Sequence, residues 1–327
     1  MQKIITFNKV GYDPFLDFIK AYAILAVLLG HTFPFLDETG YFLWYGMQVP
    51  LFMLVQVFHV FKKENYKLNL DQLLKRVIVP FIAVQLVIFT AFIIKDGFSK
   101  NLLVSYVIGG GKGPGSYYPW LYLQMALILP FVKPIFDKGT KLKLAIASLV
   151  LCESLEVISS LIGLPDYFHR ILAVRYFFLI YLGWLWVKEG IVLNTKTIVV
   201  SLISMGAIIY FEYFYIPCEP WFYDTVWRTH RWPCYFYVST LLCGILYWVY
   251  DNTKQSEIIV KSAKLLAKCS YEIFLLQMLA VTLMPQLRFI QNGAIRFGVR
   301  FTLIWVFSII GGYYFNMIYG KLIKKTK

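Results

Sequence analysis

The chain has 327 residues, of which 59% are hydrophobic, 19% aromatic and only 15% charged. Soluble domains carry about 25% charged residues, so an ordinary soluble protein is excluded. The 32 Lys and Arg against 18 Asp and Glu give a net charge of +14. These bases sit in short clusters between apolar blocks rather than on one domain, a pattern of membrane topology and not of a nucleic-acid surface. Five cysteines with no C-x-x-C pair, beside four histidines, offer neither a zinc set nor a disulfide scaffold, and no metal is expected.

An apolar stretch of roughly 20 residues crosses the hydrocarbon core as a helix. Ten such blocks lie near 14–36, 41–61, 77–95, 119–136, 144–163, 171–187, 197–217, 234–250, 271–290 and 298–319. They use most of the chain, so the expectation is an all-α membrane protein of about ten transmembrane helices forming a single domain over 1–327. The first block is too long for a signal-peptide core, carries Asp17 and Lys20, and lacks a small-residue cleavage pattern. It is expected to remain in the mature protein.

Short cytoplasmic loops carry the excess of Lys and Arg. With the N-terminus inside, the alternate segments that hold Lys62 to Arg76, Lys133 to Lys143, Lys188 and Lys196, Lys254 to Lys268 and both ends of the chain collect 21 of the 32 bases. The opposite loops collect nine, including Lys95, Lys112, Arg170 and Arg300. Both termini are therefore expected in the cytoplasm. Residues 251–270 read as an amphipathic interfacial helix, with Ile258, Ile259, Leu265 and Leu266 apolar and lysines available to lipid headgroups.

Two outer loops stand apart. IGGGKGPGSYY (108–118) is Gly-rich but lacks the ending of a phosphate loop, so it reads as a mobile or re-entrant turn. CEPWFYDTVWRTHRWPC (218–234) gathers Trp221, Trp227, Arg228, His230, Arg231 and Trp232. That mixture stacks on sugar rings and hydrogen-bonds their hydroxyls, and it equally suits an interfacial aromatic belt. Cys218 and Cys234 bracket this loop, either as two thiols or as a disulfide.

Charged side chains within a span usually face a bundle interior, which makes each a functional candidate. From Lys20 to His31 is eleven residues, just over three helical turns, so the two share a face and lie about 16 Å apart along the axis. Asp17 precedes Lys20 by three and can pair with it. Glu153 and Glu156 share a face of the fifth block, and Arg175 on the sixth is a partner for one of them, as a structural pair or toward an acceptor. Glu212 is similar, His59, His169 and His230 read as interface residues, and Tyr271 and Gln277 are candidates to line a cavity.

FLDFIKAYAILAVLLGHT (15–32) resembles the opening span of the integral-membrane acyltransferase family 3, whose mark is an Arg followed after ten residues by His; Lys20 stands for the Arg and His31 for the His. VPLFMLVQVF (49–58), LLKRVIVPF (73–81), GPGSYYPWLYLQMALILP (113–130), RYFFLIYLGWLW (175–186) and CSYEIFLLQM (269–278) resemble further family segments in order. Met53, Gln56 and Val57 depart from the second-span motif, and Gln277 stands where many members carry a His.

The resemblance implies transfer of an acyl group, commonly acetyl from acetyl-CoA, to a hydroxyl of a carbohydrate or lipid-linked glycan, by a multi-pass protein of the inner (cytoplasmic) membrane. On this reading His31, Lys20 and Asp17 are catalytic, and Lys20, Lys75 and Arg76 meet acyl-CoA, a donor substrate and not a resident cofactor. The aromatic loop residues, Glu153 and Arg175 hold the acceptor. His31 acts as general base or forms an acyl-His. A lipid-linked sugar flippase and an inactive acyltransferase-like sensor are the alternatives; no convincing internal repeat, the common mark of a transporter, is found.

Overall fold

The computed structural model describes residues 3–8, 11–33, 46–107, 110–163, 171–213 and 232–325. Helix α1 (Pro14–Thr32) begins where Asp13 accepts the Phe15 amide at 2.9 Å and Pro14 presets the first turn. It is followed by α2 (Gln48–Phe61), α3 (Leu70–Asp96), the short α4 (Lys100–Val107), α5 (Tyr118–Lys138) and α6 (Lys141–Leu161). A 3₁₀ turn (Ala173–Tyr176) leads into α7 (Phe177–Glu189), and α8 (Thr195–Tyr213) follows. Then come α9 (232–253), α10 (Glu257–Lys268), α11 (Ser270–Leu283) and α12 (Gly293–Lys325).

The described residues of each of the ten apolar blocks include a helix, and the described chain is an all-α membrane protein. Among the described residues four helices are long and apolar enough to cross a membrane: α1, α3, α5 and α12. A fifth is counted if α10 and α11, bent by 68° at their junction, act as one span. The other blocks are helical but short or more charged: α2 has 14 residues, α7 has 13, and α6 carries Lys141, Lys143, Glu153 and Glu156. The ninth block was expected to run to 290, but α11 stops at Leu283 because Pro285 disfavours helix in the residue before it.

One small sheet joins the bundle. β1 (Lys3–Ile5) pairs antiparallel with β2 (Ile191–Leu193), Ile5 opposite Ile191, and buries Ile5 and Phe7 against Phe15, Phe58 and Trp186. Helix α1 is central, packing on α2, α9, α10, α11 and α12. Its apolar residues Ile19, Ala23, Ile24 and Leu28 are fully buried. By contrast Ile82, Leu86 and Val87 of α3 and Ile310, Tyr314 and Ile318 of α12 are exposed, as lipid-facing surfaces require.

The interfacial reading of 251–270 needs one adjustment. Ala263 and Ala267 of α10 are buried, and this helix packs closely along α1. Ile258, Ile259 and Leu265 stay exposed beside the lysines. The helix therefore presents small residues to the bundle and a mixed apolar and basic face outward.

Candidate active site

The basic segments meet at one end of the bundle. Lys3 lies over the Tyr247 ring at 5.1 Å, Lys264 over Tyr12 at 5.1 Å, Lys63 over Tyr66 at 5.8 Å and Lys133 over Phe61 at 5.6 Å. Lys62 donates to the Gly11 carbonyl at 3.1 Å, and partial burial holds its ammonium below the usual lysine range. Lys141 of α6 pairs with Glu189 at the end of α7.

At this end the first turns of α1 carry the Asp17–Lys20 pair, 2.6 Å between Oδ1 and Nζ, the three-residue spacing making the contact local. Tyr12 hydrogen-bonds Asp17 from outside the helix; partial burial first, and then this bond and the carboxylate's charge, push its phenol up to about 12. His59, on the last turn of α2, lies within electrostatic range of Lys20, Asp17, Lys62 and Lys63. Sequence reasoning left His59 as an interface residue. Its signal was its place three residues before a Lys-Lys pair, but only tertiary packing brings it to Lys20.

His31 occupies the last turn of the same unbroken helix, half-buried. Ile24, Val27 and Leu28, all buried, fill the stripe between it and Lys20. The neighbouring Thr32 hydroxyl donates to Leu28 O at 2.6 Å and accepts the Trp305 indole N–H at 3.0 Å. Phe297, Phe301 and Trp305 stack along α12 beside this turn, and Phe297 meets Phe33 edge-on. An apolar path with a cation and carboxylate at one end and an imidazole at the other is the result.

Lys75 and Arg76 lie in a π turn (Leu74–Ile78) of α3. In that register the Val79 amide bonds Leu74 O, so the Lys75 carbonyl would next take residue 80, which is Pro and has no N–H. The Tyr319 hydroxyl takes it instead at 2.6 Å, and the Tyr271 hydroxyl takes Val77 O at 2.6 Å. Two helices thus hold the turn that carries both bases. Lys75 pairs with exposed Asp71 at 3.0 Å, and Arg76 lies within electrostatic range of Glu272 on α11.

The described part of the Gly-rich loop is packed into the bundle. Gln85 of α3 accepts the Lys112 amide at 3.0 Å and donates to Lys112 O at 2.9 Å. At Gly111, with φ +113°, a Cβ would stand 2.6 Å from Gln85 Oε1; at Gly113, with φ +99°, it would stand 2.6 Å from the Thr282 hydroxyl. Only glycine combines that backbone with so close an approach. The residues from Gly110 onward are thus packed against α3 and α11.

Three further buried amides stand on α2 and α11. Gln277 of α11 is fully buried, and among the described residues neither of its side-chain polar atoms has a hydrogen-bond partner. Gln56 of α2 donates to Tyr122 O at 3.2 Å while its Oε1 has no partner, and Gln48 Oε1 likewise has none.

Arg175 is 5% exposed in the turn before α7, its guanidinium 5.5 Å from the Tyr176 ring centre. Its carbonyl accepts Tyr235 at 3.2 Å and the Cys152 thiol at 3.4 Å, beside half-buried Glu153. This group stands on α6, the 3₁₀ turn before α7, and α9, on other elements than the Asp17–Lys20 pair. Trp221, Trp227, Arg228, His230 and Arg231, with Cys218, lie outside the described residues, and Trp232 opens α9. Among the described residues no group of three or more His, Cys, Asp or Glu is placed to hold a metal ion.

No curated protein and no solved structure gave a match. Residues 13–320 match a protein family described as an acyltransferase domain, a stretch that starts at the N-cap of α1 and ends within α12. The match takes in the Lys20 and His31 stripe, the π turn, the glycine loop and the buried amides together, and with nearly the whole sequence covered, the chain belongs to this family of membrane acyltransferases.

Proposed function

We propose that the chain moves an acyl group, acetyl in the first instance, from acyl-CoA to a hydroxyl of an envelope carbohydrate or lipid-linked glycan. In this reading all ten helical blocks cross the inner (cytoplasmic) membrane as one domain, with both termini and the basic end in the cytoplasm. The observation that carries it is α1 itself. One continuous helix sets Lys20 and Asp17 at the basic end and His31 about 16 Å away, with apolar residues between them.

Anionic CoA is cytoplasmic, so its phosphates meet Lys75, Arg76 and the lysines around Tyr12 and Tyr66. Arg76 binds phosphate as a planar fork and the lysines as point charges. Lys20 meets the part of the donor that enters the bundle, its charge moderated by Asp17. The thioester reaches His31, whose neutral imidazole takes the proton of the acceptor hydroxyl as the oxygen attacks the thioester carbonyl. The C–S bond breaks, and the imidazolium returns the proton to the leaving thiolate, giving an ester and free CoA. The acceptor is held from the outer side by Trp221, Trp227, Arg228, His230, Arg231 and Trp232, with Glu153 and Arg175 behind them.

The test is mass spectrometry of envelope glycans from cells with and without the gene. A mass increment of one acyl group that disappears with the gene supports the reading, and unchanged glycans overturn it.

A further inference from the structure

Gln277 is the strongest unexplained group in the bundle. A buried amide whose donor and acceptor both lack partners is costly in an interior without water, because each group has given up its hydrogen bonds to solvent. A leucine would fill the same helical position without that cost. Both ends of the Gln277 amide pay it.

The direction of Gln277 follows from its neighbours on α11. Ile273 and Leu276 meet Gly312 and Gly311 of α12, while Phe274, Met278 and Thr282 meet the glycine loop. Gln277 projects from the sector between these two faces, into the interior. Across that interior Tyr118 bridges the walls, its ring 5.5 Å from Phe274 of α11 and 5.9 Å from Phe52 of α2. Gln56 lies one turn beyond Phe52 on the same face of α2, and its Oε1 also lacks a partner. One helical turn from each end of this aromatic bridge there is thus a buried glutamine, and together the two hold two amide oxygens and one amide N–H group without partners among the described residues.

Those groups match a chain of secondary amides. We propose that Gln277 and Gln56 form the subsite for the pantetheine arm of the acyl donor, the two Oε1 atoms accepting its two amide N–H groups and Gln277 Nε2 donating to one of its carbonyls. This rests on the acyl-CoA reading above and deepens it. An N-acetyl group on an acceptor sugar shares the chemistry but brings one amide N–H for two waiting oxygens. The interior is closed around these atoms in the structure, so the arm enters by parting α2 and α5 from α11. The unpartnered amides lower the cost of that opening, because the closed state leaves them unsatisfied.

The experiment uses the full chain in lipid nanodiscs with a non-transferable thioether analogue of acetyl-CoA, with adenosine 3′,5′-bisphosphate, which lacks the arm, and with an N-acetylglucosamine glycoside. In Gln277→Leu the analogue is expected to bind about tenfold more weakly, the loss of one to two hydrogen bonds. Binding of the bisphosphate stays unchanged, and the melting temperature of the unliganded protein rises. Gln56→Met is expected to weaken the analogue in the same sense and serves if the first variant does not accumulate. Unchanged analogue affinity in both variants overturns the proposal. So does a loss confined to the glycoside, which moves the amide to the acceptor. If the wild-type chain binds no analogue at all, the acyl-CoA reading falls and this subsite with it.

Discussion

The Trp305 indole N–H donates to the Thr32 hydroxyl at 3.0 Å, locking α12 onto the last turn of α1 one residue beyond His31. The same hydroxyl donates to Leu28 O, so a single threonine joins the His31 turn to both its own helix and a neighbour. Trp305→Phe keeps the ring but removes the donor. It is expected to cost about 1 kcal/mol of stability and to lower transfer severalfold, with acyl-CoA KM little changed. Thr32→Val should give the same phenotype, and the double variant should be no worse than either single one. Additive losses in melting temperature and rate would show that the two groups do not act as a unit.

His31→Ala is expected to leave a protein that inserts and accumulates but transfers about 10²–10⁴-fold more slowly, the usual contribution of a general base. The imidazole is half-buried at a helix end, where its removal opens little packing. Near-wild-type transfer by the purified variant would remove His31 from the chemistry.

At position 20 the geometry separates two substitutions. Arg keeps the charge and reaches Asp17 from the same turn, so Lys20→Arg is expected to remain active. Ala leaves the Asp17 carboxylate, 14% exposed, with the Tyr12 hydroxyl but without the cation one turn away on its own helix. Lys20→Ala should therefore raise the acyl-CoA KM, measured as thiol release at several donor concentrations. An unchanged KM would separate Lys20 from the donor.

Gly111→Ala tests the inserted loop. The new Cβ meets Gln85 Oε1 in a backbone conformation that alanine rarely adopts. About 2 kcal/mol or more of destabilisation is expected, read as a lower melting temperature in detergent. Gly206→Ala, where a Cβ has open space within helix α8, is the control and should be neutral or stabilising.

Topology has its own test. Reporters fused after residues 68 and 139 are expected to read cytoplasmic, and those after residues 38 and 225 external. A cytoplasmic reading at 225 would put the aromatic loop on the donor side and end its role as acceptor platform.

The helices were legible because their signals are local. Asp13 followed by Pro14 marks the start of α1, the Asp17 and Lys20 spacing brings its ion pair within reach, and ten apolar blocks found ten helical stretches. What was not legible depends on partners far along the chain. Pro80 after a basic stretch is visible, but that its missing N–H is replaced by Tyr319, 244 residues beyond Lys75, is not. Gln277 was a plausible cavity residue by type, yet its lack of partners is a property of everything packed around it. The strands were hidden for another reason: Lys3–Ile5 and Ile191–Leu193 are three residues each, too short for an alternating pattern to show.

That two-stranded sheet has a consequence for how the chain is made. The first strand is synthesised ahead of α1, but its partner is not made until α7 is complete. Until then the docking site of Ile5 and Phe7 is incomplete: Phe15 and Phe58 are already made, but Ile191 and Trp186 are not. Strand β1 must wait unpaired while α1 to α7 are made, and its closure onto Ile191–Leu193 ties the start of the bundle to the end of α7.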